Sequence, residues 1–209
     1  LADKPRPMGE PAKRWRQRHC IMNENTSAGL EALVAAAGAS GATRPVETWN
    51  PPYCGDIGIA IKEDGTWMFK GSAIGRPALV KLFASILRKD EDGRTYLVTP
   101  VEKVDCEVAD APFLAVEMAV TGEGRGQALT FRTNVDDVVA AGPDHPMRFA
   151  IQKVTGGLKP YVHVRGRLEA LLTRALYADL VELAVEHEGR DGIWSGGLFW
   201  PFDGVAKGA

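Results

Sequence analysis

Apolar and small or polar positions alternate along "DIGIAIKEDGTWMFKG", with Ile57, Ile59 and Ile61 on one side of the pattern. The run turns at Asp64-Gly65 and returns through Trp67 and Phe69, which predicts a β-hairpin. The period then changes. Leu79, Leu82, Phe83 and Ile86 recur at i, i+3, i+4 and i+7 behind Pro77. That spacing predicts a helix from Pro77 to about Arg88, stopped by "KDEDG". The middle is strand-like: "RTYLVTP", "EKVDCEV", then "FLAVEMAVT" and "QALTFRT" around "GEGRG" as a second hairpin. "TNVDDVVAAGP" reads as a short helix, with Thr133 or Asn134 as cap and Asp136 and Asp137 in its first turn. "MRFAIQKV" and "LKPYVHV" flank Gly156-Gly157 as a third hairpin. Leu168, Leu171, Leu172, Ala175 and Leu176 predict a long helix from about Leu168 to Glu188. "GRDGIWSGGLFWPF" closes the chain with short extended pieces. Near the start, residues 27–37 read as a short apolar helix between Ser27 and Gly38, followed by the proline-rich loop "RPVETWNPPYCGD".

One order recurs: hairpin, glycine, arginine, helix, turn, extended piece ending in proline. Gly65 and Gly157 are 92 apart, and Arg76 and Arg167 are 91 apart. The expected fold class is therefore α+β, built from two hairpin-plus-helix units related by internal duplication. The expected divisions are a disordered basic tail over 1–21, a helix and linker over 22–48, a first unit over 49–109 and a second over 110–209.

Composition adjusts this picture at one end. The chain has 209 residues, 45% hydrophobic and 25% charged, as in a globular protein. Its formal net charge of −2 hides an asymmetry: residues 1–21 carry six Lys/Arg against two Asp/Glu. That segment has three prolines and no apolar periodicity, so it reads as disordered. "MNENTSAGLEALVAAAG" looks like a natural start, and the expectation is that translation begins at Met22. Residues 22–209 are acidic overall, which argues against nucleic acid as a partner. No apolar run approaches the ~20 residues of a membrane span, and no secretory core precedes the helix. Three cysteines, odd in number and without C-x-x-C, argue against a disulfide framework or zinc site and for a cytoplasmic setting.

Candidate chemistry centres on arginine. Pro77 at a helix start puts Arg76 at the end where a cation is disfavoured. "VHVRGRLEALL" places Arg165, Gly166 and Arg167 in the same position before the second predicted helix. A helix start with glycine and arginine suits a phosphate or carboxylate. If the two units face each other, Arg76, Arg165 and Arg167 converge on one cleft; the opposing reading is that each pairs with a surface carboxylate. His163 shares a strand face with Arg165, and Asn134 is a polar candidate as well as a cap. Tyr53 and Trp194 are loop aromatics able to stack a base. No metal site, cofactor motif or catalytic signature stands out: "GEGRG" lacks a following helix, "WSGG" lacks the G-x-S-x-G elbow, and the histidines lack H-E-x-x-H spacing.

The segments "WNPPYCGD", "GRPALVKLFASILRKDEDG", "YLVTPVEK", "DAPF", "TNVDD", "HVRGRLEALL" and "GIWSGG" together resemble the bacterial proteins catalogued as domain of unknown function 1285. The likeness runs from about Trp49 to Phe202. It implies two α+β units related by duplication, the second loosely like a pleckstrin-homology fold, with no established activity. It also implies a cleft between the units for a nucleotide-like ligand and a role in signalling.

The first expectation is thus a ligand-sensing or regulatory module holding an anionic, nucleotide-like ligand between its units through Arg76, Arg165 and Arg167. Tyr53 or Trp194 would stack its base, and Asn134 and His163 would supply polar contacts. Two alternatives remain. One is an enzyme on a phosphorylated or acyl substrate, using Asp56, Asp136 or His163. The other is a protein-interaction module without a small ligand.

Overall fold

A computed structural model of the protein describes residues 33–35, 37, 44–152 and 156–203. The expected tail over 1–21, its Met22 start and most of the expected 27–37 helix lie outside the described residues; 33–35 and 37 are helical. Leu33 and Ala37 are fully buried, so this helix packs on the core.

Each sheet is built from one half of the chain. The first half holds β1 (Ile59–Ile61), β2 (Trp67–Phe69), β3 (Ser72–Ala73), helix α1 (Pro77–Ala84), β4 (Leu87–Lys89), β5 (Thr95–Val98), β6 (Lys103–Asp105) and β7 (Glu107–Val108). These make a four-stranded sheet, β3-β2-β1-β7, and a three-stranded one, β4-β5-β6. The hairpin β1–β2 forms as its alternation predicts. Gly65 takes φ +78° in the turn, and Asp64 Oδ1 accepts from Thr66 N at 2.9 Å. Trp67 then stacks on Phe83 of α1, centroids 6.2 Å apart, at the centre of this half.

The second half holds β8 (Phe113–Thr121), β9 (Ala128–Thr133), β10 (Val138–Ala140), β11 (Met147–Ile151), β12 (Leu158–Arg165), β13 (Leu168–Leu172), helix α2 (Arg174–Glu182), β14 (Val185–His187), β15 (Arg190–Ser195) and β16 (Leu198–Pro201). Six strands order as β10-β9-β8-β13-β12-β11, and β14-β15-β16 form a separate meander.

The expected α+β duplication of hairpin-plus-helix units, with a pleckstrin-like second unit, is overturned. Strand makes up 43% of the described residues and helix 17%, so the fold is mostly β with several sheets. Three substitutions of strand for helix account for the difference. "LEALL" is strand β13, inserted between β12 and β8 and parallel to β8. Its burial alternates: Leu168, Ala170 and Leu172 are buried, while Glu169 and Leu171 are not. The same five residues satisfy helical and strand periods, and the open sheet position decides. The helix that follows starts only at Arg174. The first helix also stops early, at Ala84, because Leu87–Lys89 pairs with Thr95–Val98. "TNVDDVVAA" forms no helix: Asp136 turns at φ +69°, and Val138–Ala140 pairs with β9. Arg76 therefore precedes a helix and Arg167 precedes a strand, and the 91-residue correspondence has no structural counterpart.

The two halves meet along a polar seam. Arg165 donates to Ala84 O at 2.7 Å, and Lys81 ion-pairs with Asp136. Arg167 meets Glu91 at 3.0 Å, and Lys159 meets Glu63 at 2.7 Å. The tip of the first hairpin also docks there: a Cβ on Gly65 would sit 3.0 Å from the Asn134 amide and from Leu114. Among the described residues no helix is long and apolar enough to cross a membrane. Cys106 is a buried free thiol and Cys54 is disulfide-bonded, a pairing that the odd count and wide spacing did not predict.

Candidate functional site

The three arginines do not converge. Arg76 is the N-cap of α1, in extended backbone conformation. Arg165 holds the carbonyl of Ala84 at the other end of the same helix. Eight residues of helix separate those ends by roughly 12 Å. Arg165 also pairs with Asp137 and lies 5.0 Å from the centroid of the Phe113 ring, while Arg167 pairs with exposed Glu91. Both are occupied as fasteners of the seam.

The remaining predicted residues are spread over the molecule. Asn134 Oδ1 accepts from Leu114 N at 3.0 Å, a turn-to-strand tie. His163 has Nε2 2.8 Å from Gly166 O and Nδ1 3.2 Å from Asp144 O, so neither ring nitrogen is open to a ligand. Tyr53 is half exposed, donates to Asp105 and meets Tyr96 edge-on. Trp194 lies on strand β15 rather than in a loop. It clusters with His187 and Phe199, and the Arg125 guanidinium sits 5.1 Å from its ring centroid. For the enzymatic alternative, Asp136 is held by Lys81 and Arg132, whose bonds keep its carboxyl below the usual range. Asp56 closes a local turn on Gly58 N at 2.7 Å.

Arg76 differs from the other two arginines. Its guanidinium has no hydrogen bond, ion pair or ring contact among the described residues. It stands at the edge of a groove of about 770 Å³, walled by Val34, Phe69, Ile74, Leu79 and Leu82. Each of these five is half-buried: one side packs on the core, the other faces the groove. The helical stripe explains the arrangement. Phe83 and Ala84 point inward, whereas Leu79 and Leu82 sit to the side of that face. Ala73, Gly75 and Ala78 are too small to fill the space. In the sequence Leu79 and Leu82 stand only as members of the helical stripe, and a periodic stripe does not reveal which part of it lacks a partner.

Two other grooves are less distinctive. One of about 840 Å³ runs between the sheets of the first half, where Lys62, Lys70 and Arg94 are balanced by Asp56, Asp105 and Glu107. One of about 430 Å³ contains Arg88 and Arg167. Arg88 is buried there, donating to Val46 O at 2.8 Å, Trp49 O at 2.6 Å and Asp90 at 2.6 Å, which anchors the proline-rich loop. Burial, and then its bond to Asp110, push the Tyr161 hydroxyl up to about 12. Lys159 shares Asp110 with it, so this network is fully paired and structural. Among the described residues no group of three or more His, Cys, Asp or Glu is placed to hold a metal ion.

Comparison with known proteins agrees with the two-part build. Residues 44–111 match the N-terminal domain of unknown function DUF1285, and residues 112–202 match the C-terminal domain of the same family. A crystal structure of a DUF1285 family protein from Silicibacter pomeroyi DSS-3 is 50% identical, covers 83% of this chain and 95% of its own, and superposes with a TM-score of 0.77. A second, from Shewanella baltica OS155, is 27% identical over 60% of this chain and 91% of its own, with a TM-score of 0.48. No curated protein matches. With both family domains present in order over residues 44–202, the chain belongs to the DUF1285 family.

Proposed function

We propose that the protein is a ligand-responsive regulatory module that binds a small organic anion in the groove at Arg76. The single observation behind this is the Arg76 guanidinium, without a partner among the described residues, beside a half-open apolar groove. Pockets for small ligands are mostly apolar, with a few polar groups that orient the ligand, and volumes of ~300–1,000 Å³ are usual. The groove fits that description, and the arginine selects an anion. The seam between the halves is not the ligand site in this reading, since Arg165 and Arg167 already have partners there.

A route for response is also present. α1 carries Arg76, Leu79 and Leu82 toward the groove, and Lys81 and the Ala84 carbonyl toward the seam. A ligand that favours one position of α1 shifts the balance of seam contacts. The test is thermal unfolding with a panel of dicarboxylates, nucleotides and acyl carboxylates. A ligand that binds only the folded state raises the Tm. At least one class is expected to raise it in the wild type and not in Arg76→Ala. No shift with any class at millimolar concentration would end the proposal.

A further inference from the structure

We propose that the anion is an acyl carboxylate, a free single-chain fatty acid, rather than a nucleotide. This rests on reading the groove as an anion site, and it names the class that the walls accept. Among the described residues that line the groove, the polar side chains are Ser72 and Arg76; the others are aliphatic, aromatic, alanine or glycine. A nucleobase and ribose bring several donors and acceptors, and each one buried without a partner weakens binding. One hydroxyl and one guanidinium do not satisfy them. An acyl chain brings no such demand. Its methylenes lie against Val34, Phe69, Ile74, Leu79 and Leu82, and its single charged end meets Arg76, the one cation among the groove's described residues. The half-buried state of those five side chains matters too: a ligand removes apolar surface from water on both partners.

The experiment is calorimetric titration of the full chain with octanoate, decanoate and dodecanoate below their micellar concentrations. Decanol, AMP, ATP and phosphatidylglycerol vesicles are the comparison probes. The expected result is one site per chain, with affinity rising roughly fourfold per added methylene until the groove is filled. Arg76→Ala is expected to weaken decanoate about tenfold or more and leave decanol unchanged. Ala78→Trp, an exposed position on the groove wall, is expected to block the longer chains while leaving the fold intact. Nucleotide binding that depends on Arg76, with no chain-length trend, would overturn the acyl class and leave the groove's function standing. A chain-length trend untouched by Ala78→Trp would mean non-specific partitioning and overturn it as well. Vesicle binding without binding of free acids would assign the groove to a membrane surface instead. Binding by none of the probes would remove both this inference and the proposed function.

Discussion

The Arg165 guanidinium donates to the backbone carbonyl of Ala84 at 2.7 Å, joining the second half of the chain to the last turn of α1. A cation there is favourable, because a helix C-terminus carries partial negative charge and unpaired carbonyls. The same side chain satisfies Asp137. Arg76, at the other end of α1, has neither kind of partner among the described residues. The two ends of one helix thus meet one arginine with a structural task and one without.

The two arginines are expected to respond differently to truncation. Arg165→Met leaves Ala84 O and the half-buried Asp137 without a donor and is expected to cost about 1–3 kcal/mol. Arg76→Ala removes an exposed side chain and is expected to stay within about 0.5 kcal/mol of wild type. Denaturant unfolding of both variants checks this. Equal losses would place Arg76 among the structural residues.

Glu102 is fully buried, and neither carboxylate oxygen has a hydrogen-bond partner. Burial raises its pKa. A carboxyl whose folded value lies above its unfolded one stabilises fully below the unfolded pKa, and that contribution is lost as pH rises through the folded value. Glu102→Gln is therefore expected to gain stability relative to wild type at pH 8 and to gain less at pH 4. Denaturant midpoints at the two pH values measure it. A variant destabilised equally at both would show that the charge carries no penalty there.

Asp90 behaves in the opposite sense. Burial opposes its ionisation, yet bonds from Arg88 at 2.6 Å and Lys103 at 2.9 Å hold its carboxyl below the usual range. A depressed pKa contributes stability above the unfolded value, lost as pH falls through the folded one. Asp90→Asn is expected to destabilise by about 1–3 kcal/mol at pH 7 and by much less near pH 2.5. A constant difference across that range would assign the loss to packing.

Gly192 tests the closing meander. A Cβ there would lie 2.5 Å from Trp200 O and 2.6 Å from the Phe199 ring. Gly192→Ala is expected to cost about 1–3 kcal/mol by overpacking, read as a lower Tm. An unchanged Tm would mean that β15 and β16 separate at little cost.

What could be read in advance differs between hairpins and partners. The pattern of Ile57, Ile59 and Ile61, with Asp64-Gly65 as turn, is local, and the hairpin forms where it predicts. Arg165 finds Asp137 28 positions away, and Arg167 finds Glu91 76 positions away. No short-range pattern shows such pairs, so three arginines that looked alike in the sequence divided into two fasteners and one cation without a partner among the described residues. Arg88 was passed over because its task, bonding Val46 O and Trp49 O, is with backbone atoms.

By itself the sequence determined the turns, most of the strands and the start of α1, since glycine, proline and alternation act within a few residues. Tertiary structure decided "LEALL". Its apolar positions suit a helix or a strand, and a gap between β8 and β12 drew it into the sheet. It also decided the site: Leu79 and Leu82 line a groove because none of the described residues packs over that side of the helix, a fact of neighbours and not of residues.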